Sequence, residues 1–325
     1  MESKEMRFSR LGVLFLLAVG VFASANCTYY NRILSRKDLV DGSVAYRERK
    51  FAEAEALFRK AVSRDPNGQT LEGRTAQVFL ARTLHSEYIG NRQDRAKAEE
   101  AINEYKKALS MNPNDQSSYK AVASLYENLQ MTDEWQKWVT ERANNQSLEP
   151  QYRAEALTTL ASKQNSCASE ITETDAVKKK VKRDGKEVFE FIKPANADDF
   201  NRLKTCVDTG LSLIDKAIAL EPDSVKNAKS ANLKAMTDEQ LRQFLDLVKI
   251  FESANSYKAS LSIQAMRLAE MEGRTADRDR YKAESDQYRQ HYADLGEVNR
   301  NIELELKARQ EAAAAANNAN ANAKK

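Results

Sequence analysis

The residue types that most often carry chemistry are scarce in this chain of 325 residues. It contains two histidines, His85 and His291, and three cysteines, Cys27, Cys167 and Cys206. None of them stands in a Cys-x-x-Cys or His-Glu-x-x-His pattern, the spacings that commonly hold a metal ion. Phosphate-binding glycine loops and a serine paired with a histidine are also missing from the sequence. We therefore predict no catalytic residue, no cofactor and no metal, and a protein that is not an enzyme.

Charge and composition narrow the class of protein further. Lys and Arg number 51 against 48 Asp and Glu, a net charge of +3, whereas nucleic-acid-binding domains concentrate excess basic charge to neutralise phosphates. The ten Gly and five Pro are fewer than an average chain contains, which is roughly 7% and 5%. Turn-rich folds are therefore disfavoured, and we expect an all-α protein that does not bind nucleic acid.

The first residues have the layout of a bacterial export signal. Arg7 and Arg10 precede an uninterrupted run of apolar or small residues, 11–25, which is short for a membrane span of about 20 residues. We interpret residues 1–26 as a signal peptide.

Two cleavage sites compete at the end of this signal. Residues 23–25 fit the small-x-small rule of ordinary signal peptidase, whereas residues 24–27 resemble the end of a lipoprotein signal, in which Cys27 carries a lipid. Asn26 departs from the lipoprotein pattern. Three outcomes stay open: a lipid on Cys27, simple secretion and an uncleaved anchor. We favour the lipid, with residues 27–35 as a tether to the lipid bilayer on the periplasmic face of a bacterial membrane.

The other two cysteines flank one insertion. In an oxidising compartment, Cys167 and Cys206 could come together and form a disulfide. The other interpretation is two buried thiols on packed helices. A lipid on Cys27 would explain why that cysteine is unpaired.

Internal repeats organise the first two thirds of the chain. The stretch that ends at Pro66 resembles a tetratricopeptide repeat, a pair of antiparallel helices A and B. The residues that match the family's pattern are Gly42, Phe51, Ala54, Phe58, Ala61 and Pro66. Small residues at 42 and 54 let the two helices cross closely, Phe58 fills the seam, and a proline cannot extend the helix it follows.

A second copy of the pattern follows. The matching residues of its helix B and its end are Ala101, Tyr105, Ala108 and Pro113. Its helix A is predicted near 75–89, with Leu80 and Ala81 at the point of close approach. Extra residues around 90–94 are expected to lengthen the turn between the two helices.

The later copies are looser. The third begins with Tyr119 and Tyr126 on helix A and degenerates at Trp135, where Ala is expected, with its proline late at Pro150. A fourth copy pairs residues 152–165 with residues 199–220.

An insertion, residues 168–198, interrupts the fourth copy. Asp184 and Gly185 form a strong hairpin signal between residues 177–183 and 186–192. Pairing across this turn matches Lys182 with Glu187, Val181 with Val188, Lys179 with Glu190, and Val177 with Ile192. We predict a two-stranded hairpin whose apolar face lies on the helices. It is either a capping insertion or a docking element for an acidic or extended partner.

The C-terminal region, residues 224–312, no longer shows the repeat. Thr237 and Gln240 have the spacing of a capping box that opens a helix through Ser253. A further helix is predicted from 256 to 272 and is stopped by Gly273.

The last predicted helix is long. It runs from Thr275 to about 315, with an apolar stripe at helical spacing. The stripe is Tyr281, Tyr288, Tyr292, Leu295, Val298, Ile302 and Leu306. Residues 313–325, rich in Ala and Asn, are expected to form a disordered tail.

The resemblance implies the fold: a right-handed solenoid of helical hairpins over residues 36–223, carrying the small β-hairpin and followed by the long C-terminal helix. It also implies a concave groove lined by helix A side chains. The family's groove positions fall here on Tyr46, Arg47, Arg82, His85, Lys120 and Asn128. Because Leu39 and Ser43 occupy the Lys and Asn places of the family's carboxylate clamp, we do not expect that clamp.

The function implied is a non-enzymatic interaction scaffold of the cell envelope that binds a protein or peptide partner. By analogy with repeat lipoproteins of Gram-negative envelopes, a role in outer-membrane or pilus assembly is expected. The alternative is a structural repeat protein that self-assembles through its C-terminal helix. The sequence leaves the oligomeric state and the partner's identity open.

Overall fold

The computed structural model describes residues 30–183 and 185–323. The signal peptide and Cys27 lie outside these residues. The chain divides into two compact units, one ending at Trp135 and the other beginning at Gln136.

Unit 1 is built from successive antiparallel helices. They are α1 (30–47), α2 (Phe51–Arg64), α3 (Leu71–Gly90), α4 (Arg95–Met111) and α5 (Gln116–Asn128), and α6 (Thr132–Asn144) begins at its end. Polar side chains start three of these helices by accepting a hydrogen bond from the first turn. The capping residues are Thr70 for α3, Asp94 for α4 and Asp115 for α5.

The first hairpin, α1 with α2, is closely packed. Ala54, Phe58 and Ala61 on α2 are fully buried. A Cβ added to Gly42 on α1 would lie 2.7 Å from the ring of Phe58. The absence of a side chain at 42 therefore lets α1 approach α2 closely enough for Phe58 to fill the seam.

The second hairpin, α3 with α4, buries Ala101, Tyr105 and Ala108 on α4. The expected long turn is wrong, because α3 runs for 20 residues and only residues 91–94 separate it from α4. Thr70 starts α3 earlier than predicted, and the extra residues extend the helix. A turn would have left their backbone groups without the hydrogen bonds that the helix provides.

The third copy begins with α5, and Trp135 at the start of α6 is buried. Pro150 does not close this copy. It is the first residue of the next helix, a position where the missing N–H group costs nothing.

Within the described residues, unit 2 contains four long helices, a short one and the hairpin. They are α7 (Pro150–Thr172), β1 (Lys178–Arg183), β2 (Lys186–Phe191), α8 (Ala197–Ile218), α9 (Asp223–Lys226), α10 (Asp238–Met271) and α11 (Thr275–Ala323). The strands pair in the predicted antiparallel register, with Val181 opposite Val188 and Lys179 opposite Glu190.

The core of unit 2 lies among α7, α8, α10 and the base of the hairpin. Its buried residues include Ile171, Leu203, Val207, Leu268 and Phe191. The structure contains the expected disulfide, which joins Cys167 on α7 to Cys206 on α8. Since α10 packs on both α7 and α8, the predicted boundary after residue 223 falls inside one compact unit.

Three further expectations are wrong. Residue 168, the predicted start of the insertion, is still inside α7. The two helices predicted for 238–272 are the single helix α10 of 34 residues. The tail expected to be disordered is helical as far as Ala323. Serines near 253–256 do not break α10, because neighbouring Ala254 and Asn255 are buried against other helices. The alanines of 312–316 are strong helix formers that continue α11.

Helices α10 and α11 form an antiparallel pair. Gly273, at a φ of +71°, ends α10 as predicted, and the capping box of Thr237 and Gln240 starts it. The C-terminal part of the apolar stripe on α11 is buried, namely Leu295, Val298, Ile302 and Leu306. Tyr292, in contrast, is 41% exposed.

Within the described residues, none of the helices combines the length and the apolar character that crossing a membrane requires.

Candidate functional site: the helix-A face of unit 1

Helices α1, α3 and α5 are the helix A members of the repeat copies in unit 1. We call the surface formed by Tyr46, Phe79, Arg82, Ser86 and Ser117 the helix-A face. Residues 79, 82 and 86 are three and four positions apart on α3, so they stand on one side of that helix.

Tyr46 joins α1 to α3. Its hydroxyl lies 3.0 Å from Oγ of Ser86. The hydroxyl of Ser86 donates its own proton to the carbonyl oxygen of Arg82, at 2.9 Å, so Tyr46 donates to Ser86. The ring of Tyr46 meets the ring of Phe79 edge-on, with centroids 6.1 Å apart. Tyr46 is therefore held in place while part of its ring stays accessible.

Arg82 joins α3 to α5. Its guanidinium carbon lies 5.5 Å from the centre of the Phe79 ring, and its Nη2 donates a hydrogen bond to Oγ of Ser117 at 2.9 Å. A guanidinium has five N–H donors, so this single bond leaves donors on the same group to bind a partner. The side chain is positioned by an aromatic ring without being neutralised by a carboxylate in these contacts.

His85 plays a packing role. Its ring meets Tyr105 edge-on at 6.0 Å, and its Nδ1 lies 3.4 Å from the Tyr105 hydroxyl. Burial, reinforced by the charge of Arg92, lowers the pKa of His85. Burial also raises the pKa of Tyr105. Both groups are therefore neutral at pH 7 and support the face from beneath.

The other predicted groove residues occupy exposed positions. Arg47 lies at the end of α1, and Lys120 and Asn128 lie on α5. Nδ2 of Asn128 lies 3.4 Å from Oγ of Ser124. The contacts that define the face run instead through Phe79, Ser86 and Ser117, which the family's groove positions do not include. Phe79 and Ser86 lie on α3 at helical spacing from Arg82, and this spacing is the sequence signal that could have predicted them.

A second accessible surface is the hairpin of unit 2. Nζ of Lys178 lies 4.5 Å from the centre of the Phe189 ring, which is 50% exposed. Phe191 is buried at the base of the hairpin. The hairpin thus rests on the helices through one aromatic residue and presents the other, beside a row of lysines.

The described ranges contain no group of three or more His, Cys, Asp or Glu side chains able to hold a metal ion. The groups on the helix-A face are hydroxyls, two aromatic rings and a guanidinium, all at least partly accessible. Such groups recognise a ligand by hydrogen bonding and stacking.

The architecture defines the class of protein: a helical-repeat protein built from antiparallel hairpins that bury small residues at their crossing points. The sequence profile of the tetratricopeptide repeat matches residues 94–115, which contain α4 and the turn after it. The match shows that the chain contains a segment like a tetratricopeptide repeat, and this segment lies among helical hairpins of the kind that such repeats form.

Comparison with other proteins adds little. No curated protein matches the chain. A solved structure described as "Functional Characterization of Pseudomonas Aeruginosa pilF" is 14% identical, and the alignment covers 83% of this chain and 99% of that one. The TM-score is 0.30, and a likeness that low carries no conclusion about this protein.

Proposed function

We propose that this protein is a non-enzymatic scaffold that binds a segment of a partner protein on the helix-A face of unit 1. One observation carries the proposal: Tyr46, Phe79 and Arg82 form a connected, partly accessible row that bridges α1, α3 and α5. Repeat proteins offer such surfaces for extended ligands.

The chemistry of this row suits a peptide backbone. The remaining N–H donors of Arg82 can pair with backbone carbonyl oxygens or with a carboxylate, and the rings of Tyr46 and Phe79 can pack on an apolar side chain. Because Ser86 and Phe79 already hold Tyr46 and Arg82, binding a partner costs little conformational entropy at these side chains.

The cellular location is part of the proposal, and only the sequence of residues 1–27 supports it. We infer an envelope protein on the periplasmic side, tethered by a lipid on Cys27, with a role in the assembly of outer-membrane proteins or pili. Mass spectrometry of the mature chain tests the tether, since a Cys27 that carries no lipid contradicts it.

Crosslinking followed by capture from envelope membranes tests the binding function. The Tyr46→Ala and Arg82→Ala variants should each lose crosslinked partners that the wild type retains. Arg92→Ala is the matched control, because Arg92 also lies over an aromatic ring, that of Tyr88, at 5.0 Å, yet it is not part of the face. Equal recovery with all three variants contradicts the proposal.

The alternative, self-assembly through the C-terminal helix, is less favoured. Leu295, Val298, Ile302 and Leu306 of α11 are buried within the same chain, where α11 packs on α10, so these four residues are not available to a second copy. Leu304 is exposed. Light scattering decides between the two: a stable oligomer that becomes a monomer when the chain ends at residue 309 would favour self-assembly.

A further inference from the structure

A cavity of about 420 Å³ lies in unit 2 among α7, α10 and α11. Its size falls within the roughly 300–1,000 Å³ of typical ligand cavities. Asn165 and Ser169 of α7 form one wall, Gln264 and Arg267 of α10 another, and Arg289 of α11 stands at the side. The structure assigns to this cavity a second binding site, which takes a partner segment that presents a carboxylate next to a backbone amide.

Two buried polar atoms on the cavity wall point to a ligand. Oδ1 of Asn165 is an acceptor and Nε of Arg267 is a donor, and both are shielded from solvent without a hydrogen bond to any described residue. Buried polar atoms are nearly always paired in proteins. A peptide supplies both missing groups at once, since its amide N–H can donate to Asn165 and its carboxylate can accept from Arg267.

The balance of charge around the cavity favours an anion. Glu173 also lines it, but this carboxylate pairs with Nη1 of Arg267 at 2.6 Å and with Lys178. The hydrogen bond from Lys178, opposed by burial and assisted by the charge of Arg267, lowers the pKa of Glu173. Glu173 therefore stays ionised and already paired.

Among the described residues that line the cavity, Arg289 is the cation that remains available. Its side chain is 63% exposed, and the acidic group beside it, Asp286, is 4.0 Å away, at the limit of an ion pair. A carboxylate entering the cavity can thus bind Arg289 without displacing a strong existing partner.

The lysines of the hairpin add positive charge beside the cavity. The guanidinium of Arg267 lies 4.5 Å from the ring centre of Phe191 on β2, which ties the cavity wall to the hairpin. Lys178 links β1 to Glu173 at the cavity, while Lys179 and Lys180 are exposed further along β1. An acidic segment can therefore run along the hairpin and place one carboxylate in the cavity.

The cavity also has an apolar side. Ala259, Ile263 and Tyr292 line it, and Tyr292 is exposed enough to cover a ligand side chain. This surface distinguishes a peptide from inorganic phosphate, which has neither an amide nor an apolar group.

Titration of the full mature chain with defined peptides tests the site. The first probe is acetyl-Gly-Glu-Leu-Glu-Gly-amide, which carries side-chain carboxylates only. The second is acetyl-Gly-Gly-Leu-Gly-Gly with its terminal carboxylate, and the neutral comparison is acetyl-Gly-Gln-Leu-Gln-Gly-amide. Inorganic phosphate is the fourth arm. Binding is followed by amide chemical shifts at low salt, because salt screens such contacts.

We expect saturable binding of at least one carboxylate probe, and whichever of the two binds tells whether the source is a side chain or a chain terminus. Arg289→Gln should weaken that binding about tenfold, as the loss of one charge-assisted hydrogen bond does. Asn165→Asp, which keeps the shape and adds a negative charge, should weaken it at least as much. Arg242→Gln on the exposed part of α10 is the matched control and should have no effect.

Several results would overturn the assignment. These are no saturable binding of either carboxylate probe up to about 10 mM, equal binding of the neutral peptide, equal binding by Arg289→Gln, or phosphate binding as tightly as the peptides. The cavity is lined by residues of unit 2, so Tyr46→Ala and Arg82→Ala in unit 1 should leave these titrations unchanged.

Discussion

Gly42 on α1 lies directly against Phe58 on α2, so that a Cβ at position 42 would stand 2.7 Å from Cε1 of the phenylalanine ring. Phe58 is fully buried and cannot move aside without disturbing its neighbours. The close approach of the first two helices therefore depends on the absence of one methyl group.

Gly42→Ala should destabilise unit 1. Overpacking a core costs about 1–3 kcal/mol, which exceeds the roughly 1 kcal/mol that alanine gains over glycine in a helix. Urea unfolding measures the difference. Gly90→Ala is the control, since no atom lies within 4 Å of a Cβ there, and it should be neutral or stabilising. Adding Phe58→Leu should recover part of the loss, and equal behaviour of the two alanine variants would contradict the packing argument.

The disulfide between Cys167 and Cys206 should stabilise unit 2 in particular. The two residues are 39 positions apart, and closing a loop of that length in the unfolded chain is worth up to about 4 kcal/mol. Cys167→Ser with Cys206→Ser should lower the unfolding midpoint of unit 2. Hydrogen exchange should show faster opening of α7 and α8 with no change in α2 to α4. Unchanged protection in α7 would show that helix packing alone suffices.

Lys258 should contribute more to the free energy of unfolding than a lysine in an exposed ion pair. It is 3% exposed, and its Nζ lies 2.8 Å from both Asp215 and Glu284. Burial opposes its charge, but the hydrogen bonds to these two carboxylates raise the pKa of Lys258. Lys258→Met removes the hydrogen bonds to both carboxylates and should cost about 2 kcal/mol, since Asp215 is 57% exposed and stays hydrated.

Lys249→Met provides the comparison for Lys258. Lys249 pairs with Glu303 across the same two helices, but both side chains are about half exposed. Exposed pairs contribute at most about 1 kcal/mol. Similar losses of unfolding free energy in the two methionine variants would show that burial is not what makes the Lys258 cluster important.

His291 should make the stability of unit 2 depend on pH. Its Nε2 lies 2.8 Å from Oε1 of the buried Glu221, and this hydrogen bond, opposed by burial, raises the pKa of His291. Because the folded pKa is above the value of about 6.5 in the unfolded chain, the stabilisation is complete below pH 6.5. It is lost as the pH rises through the folded pKa.

Denaturation of the wild type and His291→Gln across pH 5.5 to 9 checks this dependence. The difference in unfolding free energy, about 1 kcal/mol, should be largest at the acidic end and shrink toward alkaline pH. His85 is the internal comparison, because its lowered pKa predicts that protonation destabilises the fold. His85→Gln should therefore reduce the loss of unfolding free energy as the pH falls. A His291 effect that grows with pH would contradict the assignment.

Local patterns made much of the fold predictable. The Asp-Gly turn and the alternation of charged and apolar residues specified the register of the hairpin, because a slip by one residue would exchange its two faces. The spacing of Gly42, Ala54 and Phe58 likewise predicted how α1 meets α2. In both cases the interacting residues lie close together along the chain.

Features that depend on distant packing were predicted less well. Nothing near residues 253–256 indicates that α10 continues, because the reason is burial of Ala254 and Asn255 against other helices. The predicted boundary after residue 223 lies inside unit 2, where α10 completes the core begun by α7 and α8. On the helix-A face, the family's pattern supplied Tyr46 and Arg82 but not Phe79, Ser86 or Ser117. The contacts of Tyr46 with Phe79 and Ser86, and of Arg82 with Ser117, join different helices.

The sequence by itself thus determined the helical class, the repeat, the hairpin and the pair of cysteines that could meet, since each follows from periodicity and short-range stereochemistry. Only the tertiary structure decided that α10 continues through residues 253–256, which charges are buried and which polar atoms are left unpaired. Asn165 and Arg289 show the reason: they are 124 positions apart in the numbering of the chain, and their shared cavity exists only because α7, α10 and α11 pack together.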